Sequence, residues 1–109
     1  MDASTDAGPQ NFDLVVIGGG PGGYAAALYG ASAGLDVGLV EFDKIGGTCL
    51  HRGCIPAKEL LETAAIVRTV KHAGGVGVIV EPKSVEWATT LESKQAVIDK
   101  LAGGVTGLL

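Results

Sequence analysis

The sequence predicts an α/β fold, and three consecutive segments carry that prediction. Residues 14–17 are an unbroken apolar run rich in β-branched side chains, typical of a strand buried on both faces. Glycines end this run, and the alanine-rich residues 22–33, with strong helix propensity, follow. Residues 37–40 form a second short apolar run. The order of strand, helix and strand indicates a βαβ unit with parallel strands.

The rest of the chain is predicted to be mainly helical. Gly34 lies where the C-terminal cap of the first helix belongs, and apolar residues recur at three- and four-residue spacing from about 55 to 72. Residues 74–80 fit either a short strand or an irregular link ended by Pro82. Ser84 fits the N-cap of a last helix. The apolar stripe of that helix comprises Trp87, Leu91, Ile98, Leu101, Val105 and Leu108.

Composition restricts the class of protein. A chain of 109 residues with 47% hydrophobic content forms one domain or part of one. The net charge of −4 and the absence of a Lys/Arg run argue against nucleic-acid binding. The sequence has neither a membrane-spanning apolar stretch nor a signal-peptide pattern, so we expect a cytoplasmic protein. Residues 1–11 are predicted to be a flexible lead-in, and residues 12–109 the domain.

The glycines after the first strand fit a loop that binds the phosphates of a dinucleotide. Gly18, Gly20 and Gly23 match GxGxxG, in which the glycines allow a tight turn, close approach to a pyrophosphate, and close helix–strand packing. Glu41 ends the second strand, where it can accept hydrogen bonds from an adenosine ribose. The alternative is a tight turn followed by a solvated acid. The loop alone does not distinguish FAD from NAD.

Two cysteines close together in a cytoplasmic protein require a chemical explanation, because that compartment disfavours structural disulfides. On a regular helix the Cα atoms of Cys49 and Cys54 would lie about 8–9 Å apart, from helix rise and radius. A disulfide needs about 4.4–6.8 Å, so a disulfide here requires a distorted turn. Gly53 supplies the necessary freedom, and Pro56 suits the first turn of the following helix.

The surroundings of Cys54 favour a reactive thiolate. The residue is predicted at a helix N-terminus, with Lys58 one turn ahead and with His51 and Arg52 nearby. Two other interpretations are a zinc site and a pair of unrelated buried thiols, and the CxxC and HxxxH spacings typical of zinc are absent. The ligands of such a zinc site would be Cys49, Cys54, His51 and His72.

The glycine loop and the segment GGTCLHRGCIPAK together resemble the flavin-dependent pyridine nucleotide-disulfide oxidoreductases, whose signature is close to GGTCxNxGCxPxK. The glycines, both cysteines, the proline and the lysine match. His51 and Arg52 stand in place of the usual Asn and a small apolar residue. Leu50 and Ile55 resemble the lipoamide branch, whereas the branches that reduce glutathione and mercuric ion tend to have valine. The resemblance covers about residues 12–109.

The resemblance implies a Rossmann-like FAD-binding βαβ unit followed by two helices, as an incomplete doubly wound domain. Cys54 would face the flavin, and Cys49 would be the interchange thiol that attacks a lipoyl disulfide. No metal is expected. The residues that would contact FAD are Gly18, Gly20, Pro21, Gly22, Gly23, Glu41, Gly47, Thr48 and Lys58.

The resemblance also implies a longer parent enzyme that passes electrons from dihydrolipoamide through the cysteine disulfide and FAD to NAD. Its implied partners are a second copy of itself and the lipoyl-bearing acyltransferase of a 2-oxo acid dehydrogenase complex. The family's catalytic His-Glu pair, NAD domain and dimer interface would lie beyond this N-terminal segment, which is expected to be inactive alone. The alternatives are a parent that reduces glutathione or mercuric ion, a non-catalytic nucleotide-binding module, and a small thiol carrier.

Overall fold

The computed structural model describes residues 8–81 and 84–109. The elements in order are β1 (Leu14–Ile17), α1 (Pro21–Ser32), β2 (Val37–Val40), α2 (Gly47–Arg52), α3 (Cys54–His72), a 3₁₀ turn (Ala73–Val76) and α4 (Trp87–Leu108). The two strands pair in parallel, with Leu14 opposite Val37 and Ile17 opposite Val40, which confirms the predicted βαβ unit. Residues 1–7 of the predicted lead-in, and the predicted break at Pro82, lie outside the described residues.

Helix α1 packs against both strands. It begins at Pro21, whose fixed φ angle suits a first helical position, and Gly34 follows its end with a φ of 87°, as predicted for the cap. A Cβ atom on Gly30 would lie 3.1 Å from the side chains of both Leu14 and Val37. Glycine at this position therefore lets the helix approach the sheet closely.

The predictions that residues 14–17 form a strand buried on both faces, and that residues 37–40 form a second buried strand, are wrong for the described part of the chain. Val15, Ile17 and Val40 are 52%, 86% and 56% exposed. Helix α1 packs against the sheet, but the described residues place no second layer over these three side chains. An apolar run predicts that a strand can be covered on both faces, and it does not identify the element that covers it.

The cysteine segment contains a helix that the sequence analysis missed. Residues Gly47–Arg52 form α2, and α3 then begins at Cys54, one residue before the predicted start near 55. In the predicted link 74–80 the irregular alternative is correct, because the turn Ala73–Val76 is followed by chain without regular structure.

The last helix begins later than predicted. Glu86, and not Ser84, is the N-cap of α4: its carbonyl oxygen accepts a hydrogen bond from the Thr90 N–H at 3.1 Å. Its carboxylate also accepts a hydrogen bond from the Thr89 hydroxyl at 3.1 Å. Of the predicted apolar stripe Ile98 is buried at 2% exposure, whereas Trp87 is 58% exposed, so only part of the stripe is covered.

The described chain is extended rather than compact. Its radius of gyration is 21.0 Å, whereas a compact domain of about 100 residues has about 13 Å. The buried apolar side chains among the described residues are Ala27, Leu50 and Ile98, which is a small core. No helix in these residues is both long and apolar enough to cross a membrane.

Candidate functional site

The glycine loop presents free backbone donors at the start of α1. Gly18 anchors the loop through its N–H, which donates to the Val40 carbonyl at 2.7 Å, and Gly20 is the N-cap. The N–H groups of Gly22 and Gly23, in the first helical turn, have no acceptor in the described chain. A Cβ atom on Gly20 or Gly22 would meet nothing within 4 Å, so space lies open there. Free N–H groups beside open space at a helix start fit the pyrophosphate of a dinucleotide.

Gly23 fulfils the packing role predicted for the third glycine of the motif. A Cβ atom at this position would lie 1.7 Å from the Gly18 carbonyl oxygen and 3.6 Å from a methyl carbon of Val16. The first of these contacts is with backbone, which cannot rotate away. Only glycine therefore permits this approach of α1 to the loop.

Glu41 fixes the loop directly. Its carboxylate accepts hydrogen bonds from the N–H groups of Gly19 at 2.6 Å, Phe42 at 2.8 Å and Asp43 at 2.9 Å. These bonds, led by the one from Asp43, lower the pKa of Glu41 although partial desolvation opposes them. The sequence analysis missed Gly19 as a partner of Glu41, because a backbone donor has no side-chain signature.

Helix α2 begins against the same loop. Gly46, the N-cap of α2, donates its N–H to the Gly19 carbonyl at 2.7 Å. The next residue, Gly47, lies so close to the loop that a Cβ atom there would be 2.8 Å from the Gly20 Cα. Thr48 is exposed at the start of the helix, and Leu50 is buried. Of the two predicted contacts of this segment, Gly47 thus lies beside the glycine loop, and Thr48 is the residue that follows it.

The two cysteines lie on either side of a helix break. Cys49 is half-buried in α2, and the exposed Cys54 is the first residue of α3. Gly53 separates them with backbone angles of −126° and −109°, which interrupt the helix at the predicted position. Both cysteines are free thiols.

The environment favours the protonated form of Cys49. A hydrogen bond to the Cys54 side chain, followed by burial, raises the pKa of the Cys49 thiol. The positive charge of Lys58, exposed one turn into α3, acts in the opposite direction and lowers this pKa. Lys58 therefore acts electrostatically on Cys49, whereas its predicted effect on Cys54 stays a prediction.

The side chains of His51 and Arg52 contact residues of the loop before α2, and not the thiols. The His51 Nε2 atom lies 2.8 Å from the Ile45 carbonyl oxygen, and Arg52 forms an ion pair with Asp43 at 3.0 Å. Neither is among the causes of the Cys49 pKa shift, and their predicted action on Cys54 stays a prediction. Asp43 and Ile45 were missed because their partners lie six to nine residues further along the chain.

The alternative of a zinc site finds no support in the described residues. No group of three or more His, Cys, Asp and Glu side chains there is placed to share a metal ion. His51 and His72 lie instead within hydrogen-bond distance of the carbonyl oxygens of Ile45 and Arg68.

A glycine loop next to two cysteines on either side of a helix break indicates a class of redox protein, and comparison with known families agrees. The family model described as pyridine nucleotide-disulphide oxidoreductase matches residues 12–109, so the chain belongs to that family. Among curated relatives, the chain is similar to the dihydrolipoyl dehydrogenase of Bacillus subtilis, with 48% identity over 98 residues.

Two further relatives carry similar names. The chain is 47% identical to "Dihydrolipoyl dehydrogenase 2" of Haloarcula marismortui and 45% identical to the dihydrolipoyl dehydrogenase of Staphylococcus aureus. The three alignments cover 90%, 88% and 93% of this chain but only 21%, 20% and 22% of the relatives. The chain thus spans about a fifth of the length of the relatives it matches.

Proposed function

We propose that residues 12–109 form the FAD-binding and redox-disulfide segment of a dihydrolipoyl dehydrogenase. The single observation that carries this proposal is the contact between the two motifs. The helix that bears Cys49 begins on the glycine loop, through the bond from Gly46 to Gly19. A bound dinucleotide and a reducible cysteine pair would therefore be close neighbours, which a simple nucleotide-binding module does not require.

The loop has the features that FAD would need. Free N–H groups at the start of α1 suit its pyrophosphate. Glu41 retains acceptor capacity for ribose hydroxyls, because a carboxylate offers about four lone-pair sites and three N–H groups bind it here. The residues proposed to hold FAD are Gly18, Gly20, Pro21, Gly22, Gly23, Glu41, Gly47, Thr48 and Lys58.

The proposed chemistry begins with thiol–disulfide exchange at the cysteines. A thiolate of dihydrolipoamide attacks the sulfur of Cys49 in the Cys49–Cys54 disulfide, and Cys54 leaves as a thiolate. The second lipoyl sulfur then closes the lipoamide disulfide and releases Cys49, so that two electrons and two protons have left the substrate. FAD would supply the chemistry that accepts this electron pair and passes it to NAD⁺.

The two cysteines are suited to different parts of this exchange. Cys54 begins α3, where the helix dipole favours an anionic leaving group. Cys49 is half-buried, and its raised pKa favours the form that keeps its proton once the pair is reduced. Cys54 is therefore proposed as the thiol that interacts with the flavin, and Cys49 as the thiol that exchanges with substrate.

The whole protein is proposed to act in the cytoplasm as a homodimer, with the lipoyl-bearing acyltransferase of a 2-oxo acid dehydrogenase complex as its partner. The names of the relatives support the substrate, and a cysteine pair that must be reduced and reoxidised suits a reducing compartment. A parent that reduces glutathione or mercuric ion is the alternative within the family.

The test uses the protein as its gene encodes it. Bound flavin is measured by absorbance, and NAD⁺ reduction is measured with dihydrolipoamide as the substrate. For the alternative parents, oxidation of the reduced nicotinamide dinucleotide is measured with glutathione disulfide or mercuric ion as the substrate. We expect turnover with dihydrolipoamide and its loss in Cys49→Ser and Cys54→Ser, both of which should keep flavin. Only Cys54→Ser should remove the long-wavelength thiolate-to-flavin absorption from the reduced protein. Loss of that band in Cys49→Ser alone would reverse the assignment, and a protein without flavin would contradict the proposal.

We further propose that residues 1–109 alone bind FAD weakly and do not catalyse. The described chain is extended and leaves apolar strand faces exposed, so ordering the glycine loop would offset much of the binding free energy. Titration of this polypeptide with FAD, together with a thermal melt, tests the idea. Submicromolar affinity with a cooperative transition would show a self-sufficient domain.

A further inference from the structure

Helix α2 is attached to the glycine loop at both of its ends. At the N-terminal end, the Gly46 N–H donates directly to the Gly19 carbonyl. At the C-terminal end, Arg52 pairs with Asp43, whose backbone N–H is held by the Glu41 carboxylate. That carboxylate also binds the N–H of Gly19 at 2.6 Å. The contacts therefore form a closed ring that begins and ends at one loop residue.

The ring supports a helix that would be unstable by itself. With six residues, α2 is far shorter than the roughly 12–15 residues at which isolated helices become even marginally stable. Its position depends on the burial of Leu50, the contact of His51 with the Ile45 carbonyl, and the two attachments of the ring. Cys49 lies inside this six-residue segment, so whatever fixes the segment fixes that thiol.

We propose that the ring transmits occupancy of the glycine loop to Cys49, with Arg52 and Asp43 as positioning residues. A nucleoside diphosphate bound at the loop restricts the motion of Gly19. Through the contacts of the ring, the motion of both ends of α2 is then restricted as well. This inference rests on the proposed function in one respect, namely that the loop binds a diphosphate. Neither positioning residue needs to touch the ligand or the thiols.

The expected consequence is a change in thiol accessibility. Because Cys49 is half-buried, an alkylating reagent reaches it through local opening of α2, and a more firmly held helix opens less often. Cys54 is exposed and belongs to α3, so its alkylation serves as an internal reference. The Arg52 and Asp43 side chains are 65% and 42% exposed, which keeps the transmitted effect modest.

The experiment uses the protein as its gene encodes it, stripped of flavin and fully reduced, with ADP as the probe. ADP contains the diphosphate but no flavin ring that could cover the cysteines. Calorimetry measures ADP binding, and mass spectrometry follows iodoacetamide alkylation of Cys49 relative to Cys54. We expect ADP to slow the relative alkylation of Cys49 by about fivefold, at the low end of typical couplings between sites.

The variants decide whether the ring carries the effect. Arg52→Ala and Asp43→Ala should each remove most of it, the double variant should remove no more, and exchange of the two charges (D43R with R52D) should restore part of it. Arg68→Ala, which removes an exposed arginine from α3, is the matched control and should keep the full effect.

Two results would overturn the proposal. Bound ADP that leaves the Cys49 rate unchanged would show that the loop and the thiol are independent. An undiminished effect in both single variants would show that the coupling takes another route. Failure of ADP to bind the wild-type protein is a different result, since it would contradict the proposed function and remove the basis of the ring as well.

Discussion

Two clusters of glycines, one at the starts of α1 and α2 and the other in α4, have completely different surroundings. At the starts of α1 and α2, a Cβ atom on Gly23 or Gly47 would lie under 3.0 Å from backbone atoms. In α4, a Cβ atom on Gly103, Gly104 or Gly107 would meet nothing within 4 Å. At Gly23 and Gly47 glycine is required by close approach of backbone, whereas in the second cluster it only weakens a helix. The number of glycines is therefore less informative than what lies beside each.

The largest expected effect is at Gly23. Gly23→Ala should destabilise the protein by about 3 kcal/mol or more, because the new methyl group overlaps a carbonyl oxygen that cannot move without shifting α1. Urea denaturation followed by circular dichroism measures the change. The control is Gly22→Ala, whose Cβ meets nothing and which should leave the denaturation midpoint nearly unchanged. Similar midpoints for the two variants would contradict the packing role.

A smaller loss is expected at Gly47. Its φ angle of 62° lies in the left-handed region, which costs other residues about 1–2 kcal/mol. Gly47→Ala should therefore lower the free energy of unfolding by about 2 kcal/mol, and it should also push α2 away from Gly20 and increase the alkylation rate of Cys49. Stability loss without any change in thiol reactivity would show that the start of α2 does not control the cysteine.

Glu41 allows a test of the loop through pH. Because its pKa is lowered in the folded protein, its bonds stabilise fully above the usual carboxyl pKa of 4.5, and this stability is lost as pH falls through the folded-state pKa. At pH values below about 4.5, the urea concentration at the unfolding midpoint of the wild-type protein should therefore decrease. The decrease should be smaller in Glu41→Gln. This variant should also weaken FAD retention. Parallel pH profiles would mean that other carboxyl groups cause the acid sensitivity.

The smallest effect, of opposite sign, is expected in α4. Gly103→Ala should stabilise the protein by about 0.5–1 kcal/mol, because alanine favours the helix and the described residues leave room for its methyl group. Thermal denaturation of the variant and the wild type measures this gain. A clear destabilisation would reveal that some other part of the protein packs against this face, and the contrast between the two clusters would then disappear.

The sequence predicted the βαβ unit well, since its signals are local. Residues 14–17 are an unbroken apolar run, and glycines mark both ends of α1. Few other assignments of secondary structure fit these signals. Helix α2 could not be predicted in this way. Its six residues are flanked by glycines, and burial of Leu50 and the contacts of His51 and Arg52 hold it in place. These are tertiary interactions, which a search for periodicity does not detect.

In the candidate site, too, local sequence signals were predicted and tertiary contacts were not. Glycines and cysteines were found from their spacing, and the structure brings them together at the start of α2. The ring through Gly19, Asp43 and Arg52 was missed, because one member is a backbone N–H and the others form an exposed ion pair. At the N-terminus of α4, the N-cap is Glu86 and not the predicted Ser84, because Glu86 accepts hydrogen bonds from two threonines. N-cap propensity alone does not predict this.

The open edges of the small sheet have a practical consequence for handling this polypeptide. Within the described residues β1 and β2 pair only with each other, so each presents unpaired N–H and C=O groups along its outer edge. The outward-facing Val15 and Ile17 side chains lie beside these edges. Strands of this kind recruit strands from other molecules. Residues 1–109 produced in isolation should therefore self-associate increasingly with concentration, and light scattering would detect this association before any spectroscopic sign of unfolding.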